Sequence, residues 1–290
     1  MMLITGATGQ LGRATVEFLL KKGFPADRIT ALVRDESKAV DLESKGIHLR
    51  FADYNDYASL VKAFEGVEKL LFVSGNDIIN RSKQHDNVVK AAKGIGVKHI
   101  IYTSFERKNE TETSPIAMVA KAHIETENSI KASGMDFTIL RNSLYVEAIP
   151  MFLGNQVIEK GIILPVGNGM VSFTARKDIA EAIAIILLTK GHENREYILA
   201  NTENVSFRTI AGILSRISGR NVTFSNPSVE AFTLALGNAG VPNDFIGFLT
   251  SFSEAIKQGE FASAKTDLEM LLGRNPLSVE EYLKQLYQHV

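Results

Sequence analysis

Three glycines, Gly6, Gly9 and Gly12, fall three residues apart in GATGQLG, between the apolar run LIT (3–5) and a helical stretch at Thr15–Lys22. Bare backbone at a strand-to-helix turn has a chemical use. One glycine permits the tight turn, another lets the chain approach a pyrophosphate, and a third lets helix and strand pack closely. The amides around Gln10 and Leu11, at the positive end of the helix dipole, favour an anion. The plainer alternative is an ordinary glycine turn. Arg34 closes the next apolar run, ITALVR (29–34), at a place where an NAD-preferring site carries an acid for the ribose 2′-hydroxyl. Lys38 follows one helical turn later. A guanidinium there can fork onto a 2′-phosphate, although it could equally be a solvated surface arginine. NADP is therefore the expected cofactor, and the adjacent Asp35 leaves weaker NAD binding open.

Other chemically able residues recur at the ends of predicted strands. Asp53 ends IHLRFAD (47–53) and could accept from an adenine amino group. Ser74, Gly75 and Asn76 follow KLLFV, where small residues would let a cofactor lie against the backbone. Thr103 and Ser104 end HIIYTSF (99–105). Each alone could be a loop cap. Their shared position matters, because ligands of open parallel sheets bind beyond the carboxyl ends of the strands.

The elements that must position these residues alternate. Strands at 3–5, 29–34, 47–53, 69–75, 99–105 and 136–142 are separated by helical stretches near 15–22, 35–45, 57–65, 83–94 and 116–132. This βαβ rhythm predicts an α/β fold, a Rossmann-type doubly wound parallel sheet with right-handed crossovers. After residue 145 the rhythm breaks. The glycine-rich 163–173, the apolar helix 178–189, the short strand YILA (197–200) and helices at 209–218, 229–237, 240–259 and 278–288 predict a smaller C-terminal α/β lobe over the sheet edge. We expect residues 1–145, with return segments near 171–200, to form the dinucleotide-binding domain, and 146–290 to form mainly a substrate lobe.

Composition narrows the classes. The chain has 290 residues, 45% of them hydrophobic, and a formal charge of −1, so nothing favours nucleic acid or an anionic membrane as a partner. It has no cysteine, and its six histidines lack ligand-like spacing, so neither thiolate chemistry nor a metal site is expected. The longest apolar stretch, IAEAIAIILL (179–188), is too short to span a bilayer. With no secretory signal pattern at the N-terminus, a cytoplasmic protein is expected, as monomer or homodimer.

Together GATGQLG, ALVR, FADY (51–54), GVEKLLFVSG (66–75), GVKHIIYTS (96–104), HIETE (123–127), ILRN (139–142) and TDLEMLLGR (266–274) make the chain resemble the NmrA-like atypical short-chain dehydrogenases. Within that group it is most similar to the bacterial NADPH:quinone oxidoreductase and triphenylmethane reductase subfamily. The resemblance implies that NADPH is held by Gly6, Thr8, Gly9, Gln10, Leu11, Gly12, Arg34, Lys38, Asp53, Ser74 and Gly75. Asn142 and Tyr145 would face the nicotinamide end.

The departure concerns catalysis. Conventional members use a YxxxK pair, in which the lysine lowers the tyrosine pKa for proton exchange with the substrate oxygen. Here Ala117 lies four residues before Lys121, and in the K-x-x-x-E frame of HIETE, His123 takes the lysine position and Val119 the tyrosine position. Neither register offers a tyrosine, which disfavours a nucleotide-sugar epimerase. Hydride transfer to an electron-poor quinone or cationic dye survives this loss, because the cofactor carries the hard step. His123 or water would protonate the product, unless His123 is structural, and Tyr145 could touch substrate. Phe152, Phe173, Phe232, Phe245, Phe248 and Phe252 would either stack on a planar acceptor or form ordinary core. The competing reading is a non-catalytic redox sensor that binds NADP(H) and signals to a protein partner.

Overall fold

The computed structural model describes residues 1–288. Seven strands form the central sheet: β1 (Met2–Ile4), β2 (Ile29–Val33), β3 (His48–Phe51), β4 (Lys69–Phe72), β5 (His99–Phe105), β6 (Asp136–Asn142) and, after the two-residue pieces β7 (Ile162–Ile163) and β8 (Met170–Val171), β9 (Arg195–Leu199). Their order is β3-β2-β1-β4-β5-β6-β9, and every pairing is parallel. The expected doubly wound sheet is thus present. Its order reverses between β1 and β4, the place where such sheets open a crevice at the carboxyl ends of their strands.

Alternation within the strands explains the layers. Successive side chains of a strand point to opposite faces, so Met2 and Ile4 join one buried cluster while Leu3 joins another. The first cluster lies under α1 (Gln10–Lys21), α2 (Val40–Glu43) and, after the helices of the other face, α8 (Arg176–Leu188). The second lies under α3 (Tyr57–Ala63), α4 (Arg81–Ile95) and α5 (Ala117–Lys131). Both faces are covered, which is why the strands read as near-continuous apolar runs. A third cluster joins the short helices α6 (Ile149–Leu153) and α7 (Val157–Lys160) to α9 (Phe207–Ser218), α10 (Val229–Asn238), α11 (Asn243–Lys257) and, beyond α12 (Leu268–Leu272), α13 (Val279–Tyr287).

Of the boundaries that differ from expectation, three bear on the site. The first helix starts at Gln10, not Thr15, so Gly12 lies inside it; a Cβ there would stand 2.3 Å from the Gly6 carbonyl oxygen, and the close approach outweighs glycine's low helix propensity. The stretch 35–45 is a 3₁₀ turn at Glu36–Lys38 followed by the single turn of α2, because the Asp35 side chain accepts the Ser37 amide and ends regular structure there. β4 stops at Phe72, since the Val73 amide turns to the Thr5 hydroxyl (2.9 Å) rather than to a neighbouring strand.

Candidate functional site

The corner between β1 and α1 is built from backbone. Gly6 has a φ of +60°, and a Cβ on it would press on the Val73 side chain at 3.2 Å, so a bare residue lets the ends of β1 and β4 close together. Gly9 donates to the Gly6 carbonyl and stands at the N-cap of α1 with no side chain capping the helix. The first-turn amides of α1 therefore face outward, an anion seat. Thr8 and Gln10 flank it at the surface, whereas the Leu11 side chain is buried in the core and contributes only its amide.

Arg34 and Lys38 stand beside this corner on the turn after β2, both largely exposed and only loosely neutralised: Arg34 lies 3.8 Å from Asp53, and Lys38 lies 3.8 Å from Asp35. Arg13, which the sequence reading passed over, ties α1 to the same turn through Asp41 and the Lys38 carbonyl (3.1 Å). Asp53 is partly committed, because its Oδ1 accepts the backbone and side-chain N–H groups of Asn55 at 2.7 and 2.9 Å.

The next strand ends form the floor. The Thr103 hydroxyl is buried and accepts the Ser74 amide at 2.9 Å, pinning the chain after β4 to β5. Gly75 is gripped on both sides, its N–H by His85 Nε2 (3.2 Å) and its carbonyl by Arg81 Nε (2.8 Å), while Asn76 is exposed beyond it. Asn142, at the end of β6, is 2% exposed; its Nδ2 donates to Tyr145 Oη at 3.3 Å and its Oδ1 has no partner. A buried acceptor without a donor can take a hydrogen bond from a ligand N–H. The Tyr145 ring carries the Arg176 guanidinium 4.0 Å from its centre, and burial raises the phenol pKa, so Tyr145 is no strong acid.

His123 departs most from expectation. It is 5% exposed, its Nδ1 is 2.7 Å from Tyr102 Oη, and its Nε2 is 3.4 Å from Arg81 Nη1. A guanidinium only donates, so Nε2 must be an acceptor and the proton resides on Nδ1. Burial, with the nearby positive charge of Arg81, holds the pKa well below the ordinary imidazole value. Burial thus favours the neutral imidazole, which suits the structural alternative for His123 and water as the proton donor better than a titrating histidine. The sequence reading also missed His85 and Arg81. Positions 81, 85, 88 and 92 share one face of α4 with buried Val88 and Ala92, so two polar residues on an apolar stripe were the available signal.

Below the floor, Glu127 of HIETE meets Arg141 of ILRN at 2.7 Å and Arg107 at 2.8 Å, and Ser104 donates to it as well. Burial would raise the Glu127 pKa, but the hydrogen bonds from Arg107, Arg141 and Ser104 outweigh it and bring it to about 2. A carboxyl depressed from 4.5 to about 2 adds about 3 kcal/mol of stability above pH 4.5, lost as pH falls from there toward 2. Glu127→Gln should therefore lower the urea-unfolding free energy at neutral pH by at least that amount. The gap from wild type should narrow on acidification; a gap independent of pH would refute the pairing.

The phenylalanines divide. Phe152, Phe173, Phe232 and Phe252 are core, whereas Phe245 is 39% exposed and Phe248 is partly buried. Ring contacts run from Phe245 through Phe248, Phe252, Phe261 and Phe105 to His123, which brings an aromatic wall from α11 to the ends of the strands. A separate cavity of about 400 Å³ lies at the opposite edge of the sheet, against Met2, Lys69, His99 and Asp136 at the strand starts, away from these groups. Among the described residues no helix is long and apolar enough to cross a membrane.

A reversing parallel sheet with a glycine corner and two exposed, loosely paired cations after its second strand defines a dinucleotide-binding α/β protein. The NmrA-like family pattern matches residues 1–283, and the chain belongs to that family. It is 39% identical to quinone oxidoreductase 2 of Escherichia coli over 289 residues, covering 99% of each chain. Its fold matches the Citrobacter sp. triphenylmethane reductase complexed with NADP(H) at a TM-score of 0.90 and 39% identity, covering 98% of this chain and 99% of that one. It matches the NADPH complex of an Escherichia coli NADPH-dependent quinone oxidoreductase at a TM-score of 0.90 and 36% identity, covering 99% and 100%.

Proposed function

We propose that this protein is an NADPH-dependent reductase that delivers hydride to a quinone or a similar planar, electron-poor acceptor. The observation that carries this reading is the glycine corner with Arg34 and Lys38 beside it, together with a helix α5, over β5 and β6, whose sequence, AMVAKAHIETENSIK, contains no tyrosine. NADPH bound there supplies a hydride from its nicotinamide ring. The first-turn amides of α1 hold the pyrophosphate, and Arg34 and Lys38 hold the 2′-phosphate. Asn142 Oδ1 offers an amide N–H its missing acceptor. The aromatic wall from Phe248 to Phe105 keeps the acceptor flat and excludes water. With His123 neutral and Tyr145 a weak acid, water protonates the reduced oxygen. A reducing, cytoplasmic setting suits such a reductase.

Adding 1,4-benzoquinone to protein and NADPH should bleach the near-ultraviolet band of NADPH at a turnover on the order of 10 per second. The rate should show no inflection traceable to His123 between about pH 6 and about pH 8. Tight cofactor binding without turnover on any quinone would instead favour the redox-sensor reading, and an inflection abolished by His123→Gln would restore that imidazole as the acid.

A further inference from the structure

We propose that Arg81 is the cation that stabilises the oxyanion formed when a quinone accepts hydride, and that it sets the preference of this site for neutral quinones over cationic dyes. The inference rests on the reductase reading above. Arg81 opens α4 and is 7% exposed, yet among the described residues no carboxylate lies within ion-pairing distance of it. Arg107, similarly buried, has Glu127 and Glu110. Two Arg81 nitrogens are committed, Nε to the Gly75 carbonyl and Nη1 toward His123, while Nη2 has no partner among the described residues and is not sealed from solvent. A guanidinium buried with only the more distant Asp77 to offset its charge is costly to desolvate, and burial accordingly lowers its pKa. An arriving anion offsets that cost, which makes such a group a candidate functional cation.

Its position fits the chemistry. His123 occupies the lysine position of the short-chain dehydrogenase frame but is uncharged. The positive charge a lysine would bring there comes instead from Arg81, across 3.4 Å. Phe105, with its ring 5.9 Å from His123, ends the aromatic wall at the histidine that Arg81 contacts. A quinone that takes a hydride from NADPH becomes a hydroquinone monoanion, leaving NADP⁺, and then takes one proton from water. A triarylmethyl cation that takes the same hydride becomes a neutral leuco compound and needs no proton. A fixed cation helps the first acceptor, whose negative charge grows in the transition state. It repels the second, whose positive charge disappears.

The test compares wild type, Arg81→Met and Arg81→Lys with NADPH, using 1,4-benzoquinone and crystal violet as acceptors. Removing one preorganised oxyanion partner typically costs about 100-fold or more, so Arg81→Met should lose about 100-fold in kcat/KM on the quinone. On crystal violet it should stay within about threefold of wild type or gain, and Arg81→Lys should recover the quinone rate to within about tenfold. NADPH affinity of Arg81→Lys, read by calorimetry, should change less than about threefold, which also reports an intact fold, and the Arg81→Met rates are compared at saturating NADPH so that any loss through Gly75 falls on both acceptors alike. Equal losses on both acceptors, an unchanged quinone rate, or a collapse of NADPH affinity in Arg81→Lys would each overturn the role of Arg81 alone. A wild type that binds NADPH but reduces neither acceptor would overturn the reductase reading, and this inference with it.

Discussion

Gly12→Val abolishes measurable NADPH binding and destabilises the protein by about 3 kcal/mol, at the upper end of overpacking costs. A Cβ at this position stands 2.3 Å from the Gly6 carbonyl oxygen, 2.7 Å from its carbon and 3.0 Å from Ala7 Cα. All three obstacles are backbone, so no rotamer change relieves them, and α1 must retreat from the end of β1. The amides proposed to hold the pyrophosphate would move with the helix. A displacement on the order of 1 Å in a positioned site can cost about 100-fold, and here it is combined with loss of close helix–strand packing. Calorimetric titration together with urea unfolding checks both halves. A Gly12→Val protein that binds NADPH like wild type would mean that the corner is not the pyrophosphate seat.

Arg34→Glu separates the two nicotinamide cofactors. The guanidinium is 74% exposed and 3.8 Å from Asp53, so little protein structure depends on it. Charge-assisted hydrogen bonds to a phosphate contribute about 1.5–3 kcal/mol, and charge reversal adds repulsion from the same dianion. NADPH affinity should fall on the order of 100-fold or more, while NADH affinity changes less than about threefold. Lys38→Ala should show the same selectivity at smaller amplitude, since a lysine acts as a point charge without a fork. Equal losses for both cofactors would place Arg34 away from the 2′-phosphate.

What could be read from the sequence was local. β5 and β6 have the expected bounds, 99–105 and 136–142, because short β-prone segments rich in Ile, Tyr, Phe and Thr, HIIYTSF and DFTILRN, leave a buried strand few alternatives. The glycine corner was legible because its residue types have a backbone use that no other type serves. The start of α1 was obscured by the same glycines, which read as turn until the packing against Gly6 is seen. β9 could be recognised as a strand, but its parallel pairing with β6 joins Thr138 to Arg195, and no local pattern encodes that partner.

The chemistry of the floor was less legible. A histidine is visible in a sequence, but its pKa depends on burial and on a charge 42 residues away in the chain, Arg81. Thr103 illustrates the same limit. Its type and strand-end position suit a ligand contact, yet its hydroxyl accepts the Ser74 amide of the neighbouring strand. Glu127 and Arg141 stood out in separate blocks, HIETE and ILRN, whose ion pair appears only when α5 packs over β6.

The account stands on recognition of a 2′-phosphorylated dinucleotide by the β1–α1 corner and the two cations after β2. Calorimetric titration of the wild-type protein with NADPH and with NADH, at one ionic strength, tests this directly. The account predicts saturable binding of both, with NADPH tighter by at least about tenfold, the worth of roughly one charge-assisted contact. Equal affinities, or no heat with either nucleotide, would contradict it.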